Sequence, residues 1–166
     1  MNGHDIVAPS AWIVRWAPLI PSGSVLDVAC GGGRHARFLA RLGYSVTALD
    51  REPRSISGVR CIQADLEDGS PWPLPGERFQ GVVVTNYLHR PLFPVLMDAL
   101  APGGVLLYET FMLGNERYGK PSNPAFLLRA GELWQAFPGL QVIAFEQGHA
   151  AQPKPAMMQR LCAVRA

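Results

Sequence analysis

The chain predicts an open, mostly parallel α/β sheet, and three observations carry that expectation. Val25 to Leu39, VLDVACGGGRHARFL, reads as a short apolar run with a β-branched bias, then three consecutive glycines, then apolar residues at helical spacing. Phe79 to Thr85, FQGVVVT, is an unbroken β-branched run of the kind found in a central strand. Strand-like and helix-like segments alternate over nearly the whole length.

With 166 residues the chain has the size of one domain, 1–166, around a single core. Its 48% hydrophobic and 17% charged residues are those of a globular protein, and a net charge of +2 argues against nucleic acid or an acidic membrane surface as the main partner. Cys30, Cys61 and Cys162 are odd in number and widely spaced, so neither a disulfide framework nor a zinc site is indicated, and no metal is expected. The opening MNGHDIVAPS lacks the basic start and apolar core of a signal peptide, and no apolar run reaches bilayer length. A soluble protein of the reducing cytoplasm is the expectation.

Residues 1–9 are expected to be loose. Ser10 is a candidate N-cap for a short helix through Ala17, ended before Pro18, with Trp12 and Trp16 either in the core or over a ligand cleft. The first strand holds Val25, Leu26 and Val28. After Gly31, Gly32 and Gly33 a helix runs from Arg34, with Phe38, Leu39 and Leu42 inward and Gly43 as its stop. Such a turn brings a ligand against bare backbone at a helix N-terminus.

Two cofactor classes use that arrangement. Gly31, Gly33 and Ala36 fit the dinucleotide pattern G-x-G-x-x-G/A, which would make the chain a nicotinamide-dependent oxidoreductase. Asp27 opposes this, because a carboxylate just before the turn repels a pyrophosphate and suits a cationic amino group. On those residues, D-V-A-C-G-G-G at Asp27 to Gly33 resembles the first motif of the class I methyltransferases that use S-adenosylmethionine (SAM), with Ala29 where glycine is usual. The resemblance implies SAM as cofactor and a Rossmann-like seven-stranded sheet in the order 3-2-1-4-5-7-6 with the last strand antiparallel. It places Asp27, Ala29, Gly31 and Gly33 against the cofactor.

Tyr44 to Asp50, YSVTALD, reads as the second strand, and Asp50 at its tip is placed to accept hydrogen bonds from both ribose hydroxyls, with a helix-capping role as the alternative. Only REPRSISG separates it from the third strand, Val59 to Gln63, too little for an ordinary crossover of a dozen or more residues. A shortened, thinly covered crossover is expected. In QADLED, Gln63 to Asp68, the resemblance assigns Asp65 to the adenine amino group and Leu66 to the ring, with Glu67 and Asp68 in solvent. Trp72 in GSPWPLPGE either nears the same sites or plugs the core.

In a doubly wound sheet, ligands sit beyond the carboxyl ends of the strands, which puts Asn86, Tyr87 and His89 at the transferred methyl. The Pro-Pro tetrad of base-methylating enzymes is missing, and His89 is either a general base or a solvated cap. A helix is expected over Leu92 to Leu100, then a Pro-Gly-Gly turn and a fifth strand, Val105 to Thr110. Glu109 either faces the cleft or bonds a neighbouring strand. The polar stretch Phe111 to Asn123 is expected over the methyl donor, with Arg117, Tyr118 and Lys120 either a lid suited to an anionic substrate or a solvated cluster. A helix from Phe126 to Pro138, a sixth strand over Leu140 to Glu146 and a seventh over Met158 to Val164 complete the chain.

The resulting expectation is methyl transfer from SAM to a small-molecule acceptor by in-line displacement, without a dedicated catalytic triad. Size and motif layout resemble the compact group that includes tellurite-resistance methyltransferases. The alternative is a SAM-binding regulatory or scaffold protein without turnover.

Overall fold

A computed structural model describes residues 7–166. Its seven-stranded sheet has the order β3-β2-β1-β4-β5-β7-β6, formed by β1 (Ser24–Val28), β2 (Ser45–Asp50), β3 (Val59–Gln63), β4 (Phe79–Thr85), β5 (Leu100–Phe111), β6 (Leu140–Ala150) and β7 (Ala156–Arg165). The first five strands pair in parallel, and β7 runs antiparallel to both β5 and β6. The helices are α1 (Ala11–Trp16), α2 (Arg34–Arg41), α3 (Phe93–Asp98) and α4 (Glu132–Ala136). Among the described residues no helix is long and apolar enough to cross a membrane.

The central strands are apolar on both sides because the sheet is covered on both sides. Leu26, Val82 and Leu106 face a core closed by Leu96 of α3 and Leu133 of α4. Val25, Val83 and Leu107 face the opposite core, with Ile13 of α1 and Leu39 of α2. The Ser10 hydroxyl caps α1 as expected, accepting from the Trp12 amide at 3.2 Å. Trp12 belongs to the core, and its indole N–H donates to Leu161 O of β7 at 3.1 Å. Trp72 packs against the core on the opposite side of the sheet.

Residues 51–58 contain no helix, the shortened crossover that the spacing predicts. Ile56 is the one residue of that segment buried in the core, and every residue of β3 is half-buried or exposed. Expected and observed elements differ after β4. The Pro-Gly-Gly segment is not a turn before β5 but lies inside it, where Phe79 aligns with Leu100 and the register then shifts before Gly81 pairs with Val105. A bulge tolerates Pro102 because it needs no donor there.

The helix expected from Phe126 is only Glu132–Ala136. Leu127 and Leu128 are apolar at helical spacing, but tertiary pairing holds them extended: Leu128 N–H donates to Phe111 O at 3.0 Å and Leu113 N–H to Leu128 O at 2.8 Å. The expected helix over Leu92 to Leu100 is likewise shorter, beginning with a 3-10 turn at Arg90–Leu92. Strands β6 and β7 extend into the Pro-rich link and form a long hairpin.

Gly104 shows how little room β5 leaves beside β4. A Cβ there would lie 2.7 Å from Ala101 O and 3.0 Å from Phe79 O, neither of which a side-chain rotation relieves. Gly104→Ala is expected to destabilise the chain by about 1–3 kcal/mol in urea unfolding. Gly139→Ala, where the nearest atom is Met97 Sδ at 3.8 Å, is expected to stay within about 0.5 kcal/mol.

Candidate cofactor and acceptor site

At the carboxyl ends of β1 and β4 lies an open cavity of about 1140 Å³. The turn from Ala29 to Gly32 forms its floor, Thr85 and Asn86 one wall, and the outer face of α2 the other, with Val7 and Pro9 at its rim. Residues 1–6 of the expected loose stretch lie outside the described residues; Ala8 already has a partner, its carbonyl accepting from Arg34 Nη1 at 3.3 Å. Four residues around this space have left-handed backbone: Ala29 (φ 55), Gly31 (φ 55), Gly33 (φ 88) and Asn86 (φ 54). For Ala29 and Asn86 this costs about 1–2 kcal/mol each. A Cβ on Gly31 or Gly32 would meet nothing within 4 Å, so the space above the turn is open.

Asp27 is 1% exposed, and among the described residues neither carboxylate oxygen has a hydrogen-bond partner. Burial pushes its pKa up to about 7; the Ala36 amide, outside hydrogen-bond geometry, and the Arg34 charge pull it down, while Asp50 adds repulsion. A buried carboxyl without partners is costly unless something else meets it. Asp27, expected to meet a cationic amino group directly or through water, does not line the cavity but lies beneath its floor. The cause is strand parity, which points position 27 inward with Val25, toward α2.

Asp50 sits beside the same turn. Its Oδ1 accepts from the Gly31 amide at 3.1 Å, and its Oδ2 from the Glu52 amide at 3.1 Å and Arg54 Nε at 3.0 Å. Burial would raise its pKa, but these three donors outweigh it and hold the group below the usual carboxylate range. Asp50 is therefore charged and already occupied by Arg54, which spacing alone did not reveal. Cys30 lies between the two acids, and burial, reinforced by Asp27 and Asp50, pushes its thiol up to about 12.

His35 has no place in the expected site, yet it lines the cavity. Burial, then Arg34, lowers its pKa to about 4, so it is neutral. Its Nε2 accepts from the Ser10 amide at 3.0 Å. The proton therefore sits on Nδ1, which donates to Thr85 Oγ1 at 3.3 Å. That leaves the Thr85 hydroxyl hydrogen free to donate into the cavity.

On the other side of the sheet edge, Tyr87 donates to Glu67 Oε2 at 3.0 Å, and His89 Nδ1 lies 3.6 Å from Glu67 Oε1. Glu67, expected in solvent, thus joins the β3 exit to the β4 exit. Burial first and Glu67 second raise the Tyr87 pKa well above its ordinary value, so it stays a phenol. Asp65 is exposed and accepts from the Glu67 amide at 2.9 Å, and Leu66 is half-buried against the core. Asp50, Asp65, Leu66, Tyr87 and His89 do not line the large cavity, whereas Ala29, Gly31 and Asn86 do. Glu109 bonds its neighbour, accepting from Arg160 Nε at 2.7 Å.

Nor does the stretch 111–123 cover this cavity. Asn115 ties it to the β6–β7 hairpin, donating to Pro121 O and accepting from the Met157 amide, both at 3.0 Å. Tyr118 packs on His149, with ring centroids 5.2 Å apart. Polarity marked this stretch as irregular, but only the buried Asn115 explains where it goes.

The comparisons agree with this geometry. A family model described as "Methyltransferase domain" matches residues 1–151. The chain is 29% identical over 119 residues to a trans-aconitate 2-methyltransferase of Delftia acidovorans, covering 64% of this chain and 44% of that protein. It is 32% identical over 105 residues to a ubiquinone biosynthesis O-methyltransferase of Xanthomonas campestris, covering 55% and 44%. The chain thus spans under half the length of these curated relatives. In fold it is similar to TehB from Haemophilus influenzae, with a TM-score of 0.81 and 18% identity, covering 98% of this chain and 64% of that one. Taken with its strand order and its glycine turn, the family match shows that the chain belongs to the class I SAM-dependent methyltransferases.

Proposed function

We propose that the chain binds SAM and transfers its methyl group to a small anionic molecule. The observation that carries this reading is the partnerless Asp27 carboxyl beneath a turn whose outer surface is open at Gly31 and Gly32. An ammonium group above that turn stabilises a charge that the fold otherwise keeps at a penalty. SAM, when bound, supplies a methyl on a positively charged sulfur. Asp50 holds the ribose hydroxyls once Arg54 releases it, and Asp65 and Leu66 meet the adenine edge. Asn86 and Thr85 orient the acceptor at the end of β4. Tyr87 acts as a hydrogen-bond donor, and His89, 3.6 Å from Glu67, stands at the β4 exit as the general base.

One domain built on the single sheet and a cytoplasmic setting complete the proposal. The continuous strand order supports the first and three free cysteines the second. The anionic character of the acceptor is supported by the arginines of α2 on the cavity wall. Incubation with methyl-labelled SAM and a panel of small carboxylic acids is expected to give labelled product and S-adenosylhomocysteine; cofactor binding with no turnover on any acceptor would favour a regulatory role.

Three sets of variants check the roles. In the apo chain Asp27 keeps, between pH 3.8 and about 7, a proton that the unfolded chain has lost. Its contribution to stability therefore falls as pH rises through that window, by on the order of 4 kcal/mol. Asp27→Asn is expected to raise the melting temperature at pH 8, with little change at pH 4, and to weaken S-adenosylhomocysteine binding in calorimetry. Asp50→Ala is expected to weaken that binding by about 1–3 kcal/mol. Arg54→Ala, freeing the carboxylate, is expected to tighten it by up to about fivefold, the worth of an exposed ion pair. Tyr87→Phe and His89→Ala are expected to lower kcat while cofactor affinity measured by calorimetry is retained.

A further inference from the structure

The wall of the cavity opposite Asn86 is the outer face of α2, and it carries Arg34, Arg37 and Arg41 with Phe38 between them. Among the described residues that line the cavity there is no carboxylate, although the acids Asp27, Asp50 and Glu67 lie nearby. Two of the three guanidinium groups are steadied by backbone carbonyls rather than by acids: Arg37 Nη1 donates to Gly32 O at 2.6 Å and Arg34 Nη1 to Ala8 O at 3.3 Å. Their remaining N–H groups have no partner among the described residues. A guanidinium offers five donors in a fixed fork, matched to a carboxylate or phosphate.

Spacing adds a second constraint. Arg34 and Arg41 are seven residues apart on one face of a helix, so their Cα atoms are separated by about 10 Å along its axis. Arg37 falls between them, and Phe38 supplies an apolar surface for a carbon skeleton. The cavity, about 1140 Å³, exceeds what one small ligand fills. It accommodates a second molecule beside whatever occupies the glycine turn.

We infer that the α2 face is the recognition surface for the methyl acceptor, and that the acceptor is a small molecule with two or more anionic groups laid along Arg34, Arg37 and Arg41. One end of such a molecule is anchored on α2 while the other reaches Thr85 and Asn86. This assigns the specificity to α2, not to Arg117 and Lys120, which are exposed and do not line the cavity. The inference rests on the methyltransferase reading and names the substrate class for it.

The test uses the full chain with and without S-adenosylhomocysteine, titrated calorimetrically with citrate as an anionic probe and with triethyl citrate, whose carboxylates are masked. Citrate is expected to bind saturably, more weakly as salt is raised, and triethyl citrate not to bind. Arg37→Gln/Arg41→Gln, both at exposed positions, is expected to weaken citrate about tenfold or more, the loss of charge-assisted bonds, with unchanged circular dichroism. The single variant Arg41→Gln, remote from the turn, is expected to weaken citrate while S-adenosylhomocysteine affinity is unchanged. Citrate binding no tighter than triethyl citrate, or equal citrate affinity in the double variant, overturns the inference. Failure of S-adenosylhomocysteine to bind the wild-type chain overturns the cofactor reading instead, so the two failures are told apart.

Discussion

Five residues convert the central strand into a helix, and the rest of the site follows from that conversion. Between Val28 and Arg34 the backbone is left-handed at Ala29, Gly31 and Gly33. This lifts the chain over the end of β1 without covering it. Two unfavourable features are concentrated there, the strained Ala29 and the partnerless Asp27. They persist because β1 lies between two cores and cannot relax without disturbing both. Local strain held in place by global packing is what a binding site requires, since a relaxed turn would fill its own opening.

Charge is sorted across the mouth of the sheet. Acidic groups collect beneath the turn and on the β2 and β3 side, at Asp27, Asp50, Asp65 and Glu67, while the arginines of α2 stand across the cavity. Neutral His35 and Thr85 also line the cavity, in contact with each other, and neither adds a charge. On the proposed reading, a ligand with a cationic centre and an acceptor with anionic groups each meet the opposite sign.

The open α/β sheet and the shortened 51–58 crossover were legible because they depend on local features, β-branched runs, glycine breaks and residue counts, whereas the strand order came from the resemblance carried by Asp27 to Gly33. What escaped depends on contacts between distant residues. Leu127 and Leu128 have helical spacing, yet pairing with Phe111 and Leu113 makes them extended. The polar run near Arg117 looks like a lid until Asn115 is seen buried against Met157. His35 gives no sign in sequence that Ser10 and Thr85, far off in the chain, hold both its nitrogens. In the candidate site, the acids could be found by their positions at strand ends. The occupation of Asp50 by Arg54, and the bridge from Glu67 to Tyr87, belong to the folded chain alone.

The bond from the Trp12 indole to Leu161 spans 149 positions. During synthesis the opening helix therefore waits, without this acceptor, until β7 has left the ribosome. The segment at residues 7–9, which forms the rim of the cavity, acquires its final support last. A chain shortened before β7 is complete would keep the glycine turn and both strand-end acids, and its rim would rest on the Arg34–Ala8 and Ser10–His35 bonds alone, without the anchor at Leu161.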